Sequence, residues 1–245
     1  GEGEVKIDKE YDKIKYSISK EDEKFNFDID LKFDQTKFKI PQFNYQKKDK
    51  SISKLKIRGN FEQNKNLKLK YLKIFEDNNK IEISNLLLGE NNLIINLDKA
   101  NFDYLDTENK QNQFIVQKKD RINYQINGSV FNANSLIANL LKDNIENKSK
   151  IFKNKINLFV NLDQVYIDEI YFINNLNGKL FIKKNKVKNA NLSANFNNKE
   201  KISFIINTEG NGNKITTLTS SWAKPLVNRY KFIKGFDEGY LDFYS

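Results

Sequence analysis

Carboxylates are the most plentiful groups in this sequence that could do chemistry. Asp28 and Asp30 stand two residues apart in Phe25-Asn26-Phe27-Asp28-Ile29-Asp30-Leu31-Lys32-Phe33, and Asp163 and Asp168 flank another apolar run. Two carboxyls across a cleft, with pKa values pushed apart, are the machinery of glycoside hydrolysis. Nothing in the spacing singles out such a pair, and most of these acids have lysines in the same polar phase. Thr216, Thr217, Thr219, Ser220 and Ser221 gather hydroxyls near Lys224, a set a Ser-Lys nucleophile could use. The chain has no His and no Cys. That removes the usual base near neutral pH, the thiol nucleophile and the common ligands of zinc and haem. Asp103 to Glu108 offers acids to calcium, but without the spacing of an EF-hand loop. Gly210-Asn211-Gly212-Asn213 reads as a hairpin turn and not a dinucleotide loop, because no helix opens after it. Phe38-Lys39, Phe43 and Tyr45-Gln46-Lys47-Lys48 interleave aromatics with lysines, as nucleic-acid platforms do. Those aromatics share the apolar phase with Ile and Leu, so burial is the expectation. The chain is expected to be no enzyme and to use no cofactor, no metal and no nucleic acid.

The elements that must position these groups are written in the hydropathy pattern. Strict alternation puts apolar side chains on one face of a strand and polar ones on the other. It recurs through Ile14-Tyr16-Ile18, Phe25 to Phe33, Phe38-Ile40 before Pro41, and Ile52, Leu55 and Ile57 leading to Gly59, with Phe61 continuing the strand beyond a bulge. Leu67-Leu69-Tyr71 and Leu72-Ile74 form one strand with a phase slip. Further strands are Ile81-Ile83, Leu86-Leu88, Leu93-Ile95-Leu97, Ala100-Phe102-Tyr104, Phe114-Val116 and Ile122-Tyr124-Ile126. After residue 150 come Ile156-Leu158-Val160-Leu162, Val165-Ile167, Leu180-Ile182, Leu192-Ala194-Phe196, Ile202-Phe204-Ile206, Ile215-Leu218 and a closing strand at Gly239 to Phe243. Two stretches break the rule. Leu136, Ile137, Leu140, Leu141 and Ile145 recur at helical spacing, with Asn132 or Asn134 as N-cap. Ser220 to Tyr230 holds the second helix, with Ser221 as cap and Pro225 in its first turn.

The chain of 245 residues carries 38% hydrophobic and 30% charged residues and a formal charge of +10. A sheet that is greasy on one face and wet on the other reconciles modest hydrophobicity with such regular alternation. The lysines read as scattered along polar strand faces, which favours a solvated surface over a polyanion site. No run approaches the roughly 20 apolar residues of a membrane-spanning helix. Residue 1 falls just ahead of a strand and is not Met, so the chain is read as a piece of a longer protein.

The second half resembles a known family. Leu158-Phe159-Val160-Asn161-Leu162-Asp163-Gln164-Val165-Tyr166-Ile167, followed by Leu176-Asn177-Gly178-Lys179-Leu180, is similar to a strand leading to an N-x-x-G hairpin in AsmA-like envelope proteins of the large YhdP type. The segment Thr217-Leu218-Thr219-Ser220-Ser221-Trp222-Ala223, with Leu226, then Gly235, Gly239 and Leu241, resembles that family's helix cap and Gly-Gly-x-Leu strand. Ser221 stands where the family has an acid, Lys224 where it has Gly, and Gly235 and Gly239 are set further apart. The resemblance implies a periplasmic protein, anchored in the inner membrane by a segment absent from this chain. It also implies a long curled antiparallel sheet whose apolar groove carries phospholipid or another acyl lipid towards the outer membrane.

The expected fold is therefore all-β: a long, curled antiparallel meander sheet forming a groove, taco- or jelly-roll-like, with about two short amphipathic helices. Residues 1–245 are read as one extended sheet, loosely 1–147 and 148–245, each being strands plus a helix. The expected function is non-enzymatic phospholipid carriage between inner and outer membranes, in maintenance of the cell envelope. Candidate groove residues are Phe25, Phe27, Ile29, Leu31, Phe33, Leu93, Ile95, Leu97, Leu158, Val160, Leu162, Phe204 and Ile206. The alternative is a structural or adhesive β-sandwich or solenoid, a binding module whose apolar face is a closed core. An outer-membrane barrel ranks third, since it would need aromatic girdles and has no use for two helices.

Overall fold

The computed structural model of the chain describes all residues except 8, 63–65, 142–153, 184–185, 197–198 and 231–238. The described residues are mostly strand, with two short helices, as the alternation requires. They divide into two compact units, the first from Gly1 to Lys118 and the second from Lys119 onwards.

The first unit holds β1 (Glu2–Ile7), β2 (Glu10–Glu21), β3 (Lys24–Lys32), β4 (Lys39–Ile40), β5 (Tyr45–Gln46), β6 (Ser53–Glu62), β7 (Leu67–Glu76), β8 (Asn79–Leu88), β9 (Ile94–Leu105) and β10 (Gln111–Lys118). Its sheet runs β1-β2-β3-β6-β7-β8-β9-β10, every neighbour antiparallel, while β4 and β5 pair as a separate hairpin. Directly opposed residues share a face. The register therefore lines up Leu31, Leu55, Ile74, Ile81, Phe102 and Phe114 as one transverse row, with Ile29, Ile57, Leu72, Ile83, Ala100 and Val116 as the next.

The second unit holds β11 (Asn123–Asn132), α1 (Asn134–Leu141), β12 (Ile156–Tyr166), β13 (Phe172–Lys183), β14 (Lys186–Asn195), β15 (Lys201–Thr208), β16 (Lys214–Ser220), α2 (Lys224–Tyr230) and β17 (Leu241–Tyr244). The meander holds from β12 to β17, but β11 and β12 are parallel, with α1 in the connection between them. A parallel pair needs a long crossover, and a helix is the usual one. Alternation alone is blind to strand direction. Here too one row crosses the strands: Ile126, Val160, Gly178, Leu192, Phe204, Leu218 and Phe243.

Both units correct their phase in mid-strand. Ile83 and Leu86 are three residues apart yet lie on one face, because Asn85 between them has a left-handed φ of 50°. Ile173 and Leu176 repeat this around Asn175 at φ 54°. Asn tolerates that conformation better than most residues. The phase slip read in β7 is real and leaves Lys70 without an opposite residue on β6. Gly59 sits at that shift because a Cβ there would collide with the Lys68 carbonyl.

Some local expectations change. Gly178 is not in a hairpin turn but in mid-β13, where a Cβ would collide with the Asn191 carbonyl oxygen. Leu93 belongs to the turn before β9, and Ile95 is the extra residue where β8 and β9 shift register. At α1 the Asn132 side chain accepts from the Asn134 N–H at 3.0 Å, while Ala133 takes the first helical bond. Ser221 does not cap α2. Ala223 occupies the cap position, and the Ser221 hydroxyl accepts instead from the Lys201 N–H on β15. Pro225 does fall in the first turn. Ile145 and Gly235 lie outside the described residues.

Candidate functional site, an apolar sheet face closed at one end

The carboxylates of β3 lie on the polar face and are spent in ion pairs. Asp28 accepts from Arg58 Nε at 2.7 Å, and Asp30 meets Lys56 at 3.1 Å. On β8, Glu82 takes both Lys73 and Lys80, and burial, which would raise its pKa, is outweighed by those two lysines. The Asp28–Arg58, Asp30–Lys56 and Lys73–Glu82 pairs are cross-strand rungs, and Lys80 meets Glu82 along β8 itself. Asp168 closes a turn by accepting from the Ile170 and Tyr171 N–H groups, and Asp163 is exposed. Ser220 Oγ donates to the Trp222 carbonyl, so both serines serve the backbone. Asp106 organises the 103–108 turn by accepting from the Glu108 and Lys110 N–H groups, and no metal-ligating cluster forms among the described residues.

The apolar face is the feature left to explain. In the first unit the segment between β3 and β6 folds over one end of it. Phe38 packs on Phe33, Tyr45 stands edge-on to Tyr104 at 5.7 Å, and Phe43 meets Phe102 at 4.6 Å. Beneath them lies Glu76, fully buried, at the end of β7. Its carboxylate accepts from Tyr45 Oη at 2.6 Å, Ser51 Oγ at 2.6 Å, the Lys48 N–H at 2.5 Å and Asn79 Nδ2 at 3.1 Å. Burial acts to raise its pKa, but these four donors prevail and hold the carboxyl below the usual range. The partner phenol of Tyr45 is pushed up, by burial first and then by the carboxylate. Lys47 is buried too, donating to the Asp34 and Lys48 carbonyls. The aromatic-lysine segment is thus a plug, as its apolar phase implied.

In the second unit the corresponding closure is aromatic and helical. Trp222 stands edge-on to Phe196 at 5.1 Å and to Tyr171 at 5.5 Å, and Ala223, Leu226 and Val227 are buried beside it. Arg229 donates twice to Asn134, tying α2 to α1, and the Gly239 carbonyl accepts from the Ala223 N–H. Leu241 pairs with Ser220 on β16. The described motif residues therefore gather at this closure, with Ser220 and Ser221 lining a cavity beside Lys199, Glu200, Lys201 and Tyr240.

Away from these closures the face is neither core nor free surface. Phe25, Phe27, Ile29, Leu93, Ile95, Leu158, Phe204 and Ile206 are half-buried, while Leu31, Phe33, Leu97, Val160 and Leu162 are buried. Leu55, Ile57, Leu72, Ile83, Leu180, Leu192 and Leu218, none of them among the candidates, share the half-buried rows. Each stands in an alternating run of its own strand, and cross-strand register joins them into rows with the candidates. At the first edge the face is bare, with Tyr16 and Ile18 exposed. No family model, no curated protein and no solved structure matches this chain.

Proposed function

We propose that the chain is a non-enzymatic segment of a bridge-like envelope protein, along which phospholipid moves on the apolar face of the strands. The observation that carries the reading is the set of register-matched apolar rows left half-buried among the described residues. A closed sandwich would bury those side chains against a second layer, about 10 Å away. Among the described residues of the first unit the hairpin of β4 and β5 covers one end, while Ile29, Ile57, Leu72 and Ile83 stay half-buried and keep part of their area for another apolar partner. Acyl chains fit such a face, each buried CH₂ contributing about 0.8 kcal/mol. Transport of this kind is a slide and makes no bond, in keeping with carboxylates and serines that serve ion pairs and turns. The AsmA-like resemblance supplies the setting: the periplasm, between inner and outer membranes, with an inner-membrane anchor elsewhere in the parent chain.

The test is native mass spectrometry of the purified 245-residue chain. Bound phospholipid is expected, and Ile29→Asp and Ile206→Asp each reduce it about tenfold while the far-ultraviolet circular dichroism stays unchanged. If the wild type carries no lipid and takes none from vesicles, the lipid track is wrong. A structural or adhesive module, with this face as its core, then replaces it.

A further inference from the structure

We propose that Lys188 and Lys214, with Lys186 beside them, hold the phosphate of an anionic phospholipid whose acyl chains lie on the adjoining apolar rows of β13–β16. This deepens the lipid-track reading and rests on it. The first observation is where the charge lies. Residues 172–216 carry eight lysines against two glutamates, a net +6 of the chain's +10, whereas residues 1–118 carry 23 basic against 21 acidic residues, a net +2. The lysines are not scattered evenly after all.

Register brings part of that charge to one corner. Lys214 is opposite Thr208, and the Thr208 hydroxyl donates to the Lys188 carbonyl. Thr208 lies two residues beyond Ile206, and Lys188 two residues before Ala190, which is the partner of Ile206. Lys214, opposite Thr208, therefore continues the apolar row at the end remote from the Trp222 closure, about 7 Å along the strands from Ile206, and Lys188 is the extra residue where β13 and β14 shift register beside it. Among the described residues none of the three lysines meets a carboxylate within ion-pair distance. Burial, and then the like charges of Lys188 and Lys186, hold the Lys214 ammonium below its ordinary pKa. Like charges gathered without a counter-ion oppose folding. In the first unit Arg58 is paired with Asp28, Lys56 with Asp30, and Lys73 and Lys80 with Glu82.

A phosphate placed here would supply the missing negative charge through charge-assisted hydrogen bonds. The register neighbours of this corner are Ile182, Val187, Ala190 and Ile206, aliphatic groups that suit acyl chains.

The purified chain is offered acyl-labelled phosphatidylglycerol or phosphatidylcholine in otherwise identical vesicles, and bound label per protein is measured. Phosphatidylglycerol should load at least fivefold better, on the scale of about fivefold per lysine near an anionic headgroup. Lys188→Gln/Lys214→Gln should remove that preference while leaving phosphatidylcholine loading unchanged. Lys214→Gln alone, at an exposed position, should lose part of it and guards against misfolding of the double variant. Equal loading of both lipids by the wild type overturns the headgroup site and leaves the lipid track standing. Loading of neither overturns both. Inorganic phosphate or an RNA oligonucleotide binding with the same lysine dependence, without altering lipid loading, would make the corner a general anion patch and overturn the proposal.

Discussion

The two units close one end of an apolar face by opposite means. In the first, a segment of mixed polarity is latched to the sheet by one buried carboxylate with four donors. In the second, Trp222, Leu226 and Val227 do the same by packing, with two hydrogen bonds from Arg229 to Asn134. The polar faces differ as well: ion-paired rungs in β3, β6, β7 and β8, against an uncompensated lysine corner in β14 and β16. The contrast separates two kinds of cooperativity. A latch on one charge fails all at once when the charge is removed, whereas a packed closure weakens in proportion to the area lost.

The largest effect is expected from Glu76→Ala. It strands Tyr45, Ser51 and Asn79 as buried donors, and about 3–5 kcal/mol should be lost from the first unit in denaturant titration. A loss below about 1 kcal/mol would show that the aromatic packing holds the plug without the carboxylate. Leu226→Ala should cost the second unit about 2–4 kcal/mol and leave the first unit's transition in place. A matching loss in both transitions would mean that the units unfold as one.

The latch also has a pH signature. Glu76 has its folded pKa below the unfolded value, so its stabilisation is complete above about pH 5. It is lost as pH falls through 4.5 towards the folded pKa. Thermal melts from about pH 6 to about pH 3 should show the first unit weakening below pH 4.5, and Glu76→Gln should flatten that step. An unchanged profile in the variant would transfer the acid sensitivity to the exposed carboxylates.

Smaller effects are expected from the residues that correct the strand phase. Asn85→Val and Asn175→Val should each cost about 1–2 kcal/mol by forcing a β-branched residue into left-handed backbone, while Gly at either site should be close to neutral. Equal stability of all three side chains would mean that the backbone relaxes there. The smallest change belongs to Arg58→Ala, whose exposed rung with Asp28 should leave the first transition within error, in contrast to the buried carboxylate.

Much of this was legible residue by residue. Phe25 to Leu31 form a strand as their alternation requires, and the register shift that joins Lys70 to Gly59 falls where the sequence shows a phase slip. Leu93, Ile95 and Gly178 depart from the pattern because they sit at turns, bulges and close approaches, where backbone geometry and not alternation sets direction. The role of Glu76 was invisible. It ends β7 like any solvated glutamate, and its donors lie 25 to 31 residues upstream and three downstream.

By itself the sequence determined the class of structure. Period-two hydropathy and scarce helix signals dictate a sheet, and the lack of His and Cys leaves the chain without an imidazole base or a thiol nucleophile, because those are local properties of the chain. Which strands are neighbours was decided only in three dimensions. The parallel pair of β11 and β12, the plug over Glu76 and the corner of Lys188 and Lys214 all arise from register between distant segments. Hydrogen bonding and charge act across space, and no window of sequence holds both partners.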